Sequence, residues 1–225
     1  AHTSAGLLAK ALVRVEKHPF PCRLTQTMTA FLRSVAPHSP PVLGFLLGRP
    51  RLFWPLLRLV LAASPKTGAM IRTTQAITML AASDKENVLP ASASAVINVR
   101  ILPGESVASV LEHYRRLLRG SGCLVEVADE KYVNEPLPES AVSGPAWEAV
   151  LAALKLAEPS AVPLPYLVTA GTDTKHYVGV ASVIYRIMGI MLDPHQIDLI
   201  HSPYERISVE NIGRSLRFYE ALIRS

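Results

Sequence analysis

Near the end of the 225-residue sequence, the phrase IHSPYERI sets His201 between an apolar run, ASVIYRIMGIML, and a proline turn. An imidazole in that position can ligate a metal, serve as a general base or simply occupy a loop. A catalytic zinc site needs about three protein ligands. No HExxH or comparable cluster occurs in the sequence, and His176 and His195 have no evident partners. No serine or cysteine lies in a nucleophile-elbow context, so a hydrolytic triad has no support either.

Three other places could carry chemistry. In TAGTDTKHY, Gly171, Thr172 and Asp173 follow an apolar stretch, and such a turn at a strand end can bring backbone N–H groups against an anionic ligand. In ENVLPASASAVINVR, Asn87 falls in a turn and Arg100 near the end of a strand; a guanidinium fork suits a carboxylate and an amide adds a hydrogen bond. A turn-forming Asn and a surface Arg are the plainer reading of the same two residues. His2, beside Thr3 and Ser4, is a proton donor, an oxyanion partner or a frayed terminal residue.

These residues need elements to hold them. Residues 5–17, AGLLAKALVRVEK, have helical apolar spacing and stop at His18-Pro19. A helical insert is expected over about 20–72, broken at Pro41, Pro50 and Pro55; its apolar phrase carries three arginines and several prolines and fails as a membrane span. Packing inside the protein is expected of it rather than membrane contact, and it could also shape an apolar substrate pocket. The period then changes. Strands are expected over 70–82 and 91–102, the second with Ala93, Ala95, Ile97 and Val99 on one face. A helix follows from a cap at Ser106 to Gly120, then a third strand over 123–129. This pattern reads as a small α+β sandwich whose first strand is missing. The Pro- and Ser-rich stretch 133–146 reads as a linker. Beyond it come a helix at 147–156, a strand ending at Val168, a strand near 181–187 and a final helix at 208–223, the end of an α/β domain.

The composition fits one or two globular domains: 49% hydrophobic, 18% charged, formal net charge +5. The Lys and Arg residues are scattered and no recognition signature accompanies them, which argues against a nucleic-acid partner. Cys22 and Cys123 are too few for a disulfide framework or a metal cage.

Four phrases in order, AHTSAG, ENVLPASASAVINVRILPGES, AGTDTKHY and IHSPYERISVENI, together resemble the M20 family of zinc-dependent carboxypeptidases and amidohydrolases. The resemblance is to the branch of carboxypeptidase S and the N-fatty-acyl amino acid synthase/hydrolases, and it covers nearly the whole chain. It implies a ferredoxin-like lid and dimerisation domain with a helical insert (1–132), followed by the C-terminal portion of an α/β zinc-peptidase catalytic domain (133–225). It implies a homodimer, and a substrate that is a peptide or N-acyl amino acid. By matching positions, His201 is a zinc ligand and His2 is the lid histidine that stabilises the oxyanion in the partner's site. Asn87 and Arg100 hold the substrate carboxylate, and Gly171, Thr172 and Asp173 form a substrate-binding loop. Two zinc ions are implied per active site. The family's other ligands, a His-x-Asp motif, a bridging Asp and a Glu-Glu pair, do not occur here. The chain is therefore expected to be a piece of a longer amide hydrolase and inactive by itself. The alternative is a noncatalytic dimerisation module.

Overall fold

The computed structural model describes residues 2–168 and 171–225. The chain divides into two compact units, Ala1–Glu139 and Ser140–Ser225.

In the first unit, α1 (Ser4–Lys17) starts where the Thr3 hydroxyl accepts the Gly6 N–H, and it ends before Pro19. Arg14 and Lys17 in its last turn complement the helix dipole. Helix α2 (Gln26–Val35) is capped by Thr25, and the Glu139 carboxylate accepts the N–H groups of Gln26 and Thr27 at 3.2 and 2.5 Å. Three short helices follow: α3 (Pro41–Gly48), α4 (Trp54–Ala63) and α5 (Pro65–Gly68). Each carries proline in its first turn, where no N–H bond is lost. They enclose a core of Met28, Leu32, Leu47, Leu57, Met70 and Ile71.

Strands β1 (Thr74–Ala81) and β2 (Ser94–Arg100) form an antiparallel hairpin, with Thr74 opposite Arg100 and a register shift between Ile77 and Met79. The first strand starts later than its apolar pattern predicts because Met70 and Ile71 are committed to the helical core. Helix α6 (Val107–Leu117) opens with a reciprocal cap between Ser106 and Ser109. It lays Val110 and Tyr114 on Ala11, Val15 and Phe20, against Ile97 and Val99 of the sheet.

The expected third strand is not formed. Cys123 and Val125 do pack on that core while Leu124 is exposed, which is strand-like alternation. No neighbouring strand exchanges backbone hydrogen bonds with it among the described residues, and alternation without a partner makes no ladder. Among the described residues, the expected strands ending at Val168 and near 181–187 are likewise not formed.

The second unit is built on α7 (Pro145–Ala157) and α9 (Val209–Arg224), whose core is Val150, Ala153, Ala157 and Phe218. A one-turn helix, α8 (Pro194–Asp198), lies between them in sequence, capped by Asp193 and Gln196. Gly189 passes so close to Phe218 that a Cβ there would lie 2.4 Å from the Phe218 Cβ.

Candidate functional site

In the first unit the candidate residues fall at two ends of one layer. His2 is exposed, just ahead of α1. The Ser4 hydroxyl donates to the Pro90 carbonyl at 2.6 Å, fastening that end of α1 to the loop that contains Asn87. Arg100 closes β2 at the far end of the hairpin. Near it, the Gln75 amide donates to the Val15 carbonyl at 2.7 Å and accepts the Tyr114 hydroxyl at 2.8 Å, locking the other end of α1. Burial raises the Tyr114 pKa, so that hydroxyl stays a donor. Two rulers therefore agree. The six steps from Ser94 to Arg100 span about 20 Å of strand, and the eleven from Ser4 to Val15 span about 17 Å of helix. The structure brings His2 and the Asn87 loop to one end and keeps Arg100 at the other.

In the second unit, Thr172 caps a 3₁₀ turn, Asp173–Tyr177, and its hydroxyl lies 2.5 Å from that of Thr174. Gly171, Thr172 and Asp173 are exposed. Arg186 holds the turn: its Nε donates to the Thr174 hydroxyl at 2.9 Å and its Nη1 to the Val168 carbonyl. Thr169 and Ala170, part of the same phrase, lie outside the described residues.

His201 sits in a turn with φ of 67°, a left-handed conformation uncommon outside glycine, Asn and Asp. Its backbone N–H donates to the Glu205 carboxylate at 2.8 Å, and its side chain is exposed. The approach to this turn is fixed by Asn211, which is buried. Its amide accepts the Met191 N–H at 2.9 Å and donates to the Met191 carbonyl at 2.7 Å. Arg214 joins Asn211 to Glu158 at 3.1 and 2.9 Å. A hydrogen bond from Ser160, with Arg214 adding to it, holds the Glu158 carboxyl below the usual carboxylate range.

Sequence reasoning missed Ser4, Arg186 and Asn211. Arg186 had a signal, as the sole charged residue of the run 181–192. Asn211 had a weaker one, a polar residue in the first turn of α9 that turns out to be buried.

A family model described as a peptidase dimerisation domain matches residues 4–121, more than half of the chain. The chain belongs to the M20 peptidase family. This M20 chain is 29% identical to the probable carboxypeptidase S-like 2 of Dictyostelium discoideum over 99% of its own length and 42% of the relative's. It is 30% identical to the N-fatty-acyl-amino acid synthase/hydrolase of Homo sapiens, over 99% of the chain and 45% of that protein. The Xenopus tropicalis protein of the same name is also 30% identical, over 100% and 44%. The M20 chain thus spans less than half the length of these relatives. No solved structure matches it.

Zinc is the metal the family implies. Among the described residues, no three His, Cys, Asp or Glu side chains come together to hold a metal ion. The described residues therefore do not by themselves fit a zinc centre; His201 is a lone candidate ligand among them.

Proposed function

We propose that this chain belongs to a metallohydrolase that cleaves the amide bond of an amino acid bearing a free carboxylate, N-acylated or at a peptide's C-terminus. In this reading residues 1–132 are its lid and dimerisation domain and 133–225 the C-terminal part of its catalytic domain. His201 is one ligand of a two-zinc centre that the chain does not complete, and no step of the reaction is derived through that centre. A further strand would give the extended segment at Cys123 the partner it lacks among the described residues.

The observation that carries the reading is the separation of Arg100 from His2 and Asn87. Arg100 offers a planar fork for the substrate carboxylate. The Asn87 amide adds a hydrogen bond to that group, and His2 donates one where negative charge develops on the scissile carbonyl. The helix and the strand between these two ends each span roughly 17–20 Å, so residues at opposite ends of one copy do not meet on one small substrate. Two copies related by a two-fold axis can bring opposite ends of the lid together. The proposed dimer is then a condition for the site; Gly171, Thr172 and Asp173 are, by the family resemblance, a substrate-binding loop.

The test mixes two crippled forms of the intact protein, Arg100→Ala and Asn87→Ala. Each alone should lose most kcat/KM on a carboxylate-bearing N-acyl amino acid. Co-folded at equal amounts, they should recover about a quarter of wild-type activity, since half of randomly paired dimers carry one undamaged site. Full activity in Arg100→Ala would overturn the carboxylate assignment, and no recovery on mixing would overturn the shared site.

A further inference from the structure

The helical insert has a property that neither its hydropathy nor the proposed activity explains. From residue 17 to residue 83 the sequence has no Asp or Glu, yet it has eight cations: Lys17, Arg23, Arg33, Arg49, Arg51, Arg58, Lys66 and Arg72. Arg23 is neutralised by Glu105 at 3.2 Å. Arg49, Arg51, Arg58 and Lys66 are exposed.

The same insert leaves apolar side chains in solvent. Leu57 is buried in the helical core. Elsewhere on α4, Leu56, Leu59 and Val60, and in the turn ahead of it Leu52, are 51–68% exposed. Leu56, Leu59 and Val60, at i, i+3 and i+4, lie along one side of the helix. Val42, Leu43 and Phe45 extend the exposed apolar surface on α3. The two helices are joined by the Phe45 and Phe53 rings at 5.7 Å, and the Arg49 guanidinium lies 4.2 Å from the centre of the Phe45 ring.

We propose that this face docks on an anionic lipid surface, with α3 and α4 lying in the interface and not crossing it. Among the described residues no helix is long and apolar enough to span a membrane. An interfacial helix needs an apolar stripe to enter the acyl boundary and cations to meet anionic headgroups, and this insert supplies both. Arginine suits the position, because its stem stays among apolar groups while its head reaches phosphate. A second copy of the chain is a poorer occupant. A two-fold contact through the stripe would set Arg49, Arg51 and Arg58 against the same cations with no acid in the insert to offset them. The inference is independent of the proposed hydrolase activity and reverses the expectation that the insert avoids membranes.

The test is sedimentation of the intact protein with vesicles of phosphatidylcholine alone or with about one-third phosphatidylserine. Binding is expected on the anionic vesicles, weakening as salt rises. The double variant Leu56→Glu and Leu59→Glu, on exposed positions, should keep its Tm and bind at least about tenfold more weakly. Replacing Arg49, Arg51 and Arg58 by Gln should weaken binding about fivefold for each residue. Failure of the wild-type protein to sediment with anionic vesicles would overturn the proposal. So would equal binding to both vesicles, or a change of oligomeric state in the double variant without lipid, which would make the face a contact between copies.

Discussion

The hydroxyl of Ser4 lies 2.6 Å from the carbonyl of Pro90, across 86 positions of sequence, and ties the start of α1 to the loop that carries Asn87. Ser4→Ala removes this bond from a partly buried site. The expected cost is about 1 kcal/mol of stability, read as a lower urea midpoint with unchanged m. In the intact protein kcat/KM should fall more than that loss of stability explains, because His2 and Asn87 lose their common anchor. A variant with the lower midpoint and wild-type kcat/KM would show that the tie is structural alone.

Asn211 satisfies both backbone groups of Met191 from a buried position. Asn211→Ala leaves an N–H and a carbonyl unpaired, so a destabilisation of about 2–4 kcal/mol is expected. Thermal unfolding checks it. A shift no larger than that of an exposed substitution such as Glu220→Ala would mean that water replaces the amide.

Arg186 bonds the Thr174 hydroxyl and the Val168 carbonyl from one guanidinium. Lysine keeps the charge but has no planar fork to hold both. Arg186→Lys should therefore reduce kcat/KM of the intact protein about tenfold with little change in Tm. Unaltered kinetics would separate the 172–174 turn from the substrate.

His113 stacks on Phe20 with ring centroids 4.2 Å apart, and its Nε2 is buried with no hydrogen-bond partner among the described residues. Burial pushes its pKa below 6.5 and the Arg116 charge adds to the shift, while Glu105 acts the other way. In the interval between the folded and unfolded values the unfolded chain binds the extra proton. Stability should thus be full above pH 6.5 and decline as pH falls through the folded value. Urea midpoints across that range should show a slope that His113→Phe flattens; an identical slope in the variant would assign the acid sensitivity elsewhere.

The longer helices α1, α6, α7 and α9, unlike α2 and α8, were legible because each has a local cause in the sequence. The apolar period places Ala11 and Val15 inside α1, and Ser106 marks the start of α6. The strands were less so. Cys123–Val127 has strand-like alternation, but a strand also needs a neighbour, and alternation does not reveal whether one is at hand. The apolar insert reads in sequence as core, since hydropathy alone does not tell which face of α4 meets Leu57's neighbours and which meets solvent. The separation of Asn87 from Arg100 was hidden for another reason. Thirteen positions look close in sequence, and only the register Thr74↔Arg100 shows that the hairpin holds them apart.

Helix α1, fastened by Ser4 at one end and by the Gln75–Val15 bond at the other, is a spacer of fixed length. It should tolerate neither insertion nor deletion. One added residue turns everything beyond it by about 100° and lengthens the span by about 1.5 Å, so the two fastenings no longer form together. Seven added residues restore the face almost completely but lengthen it by roughly 10 Å. Length variation in this lid should therefore collect in the proline-broken insert between α2 and β1, while the run from Ser4 to Val15 keeps a constant count.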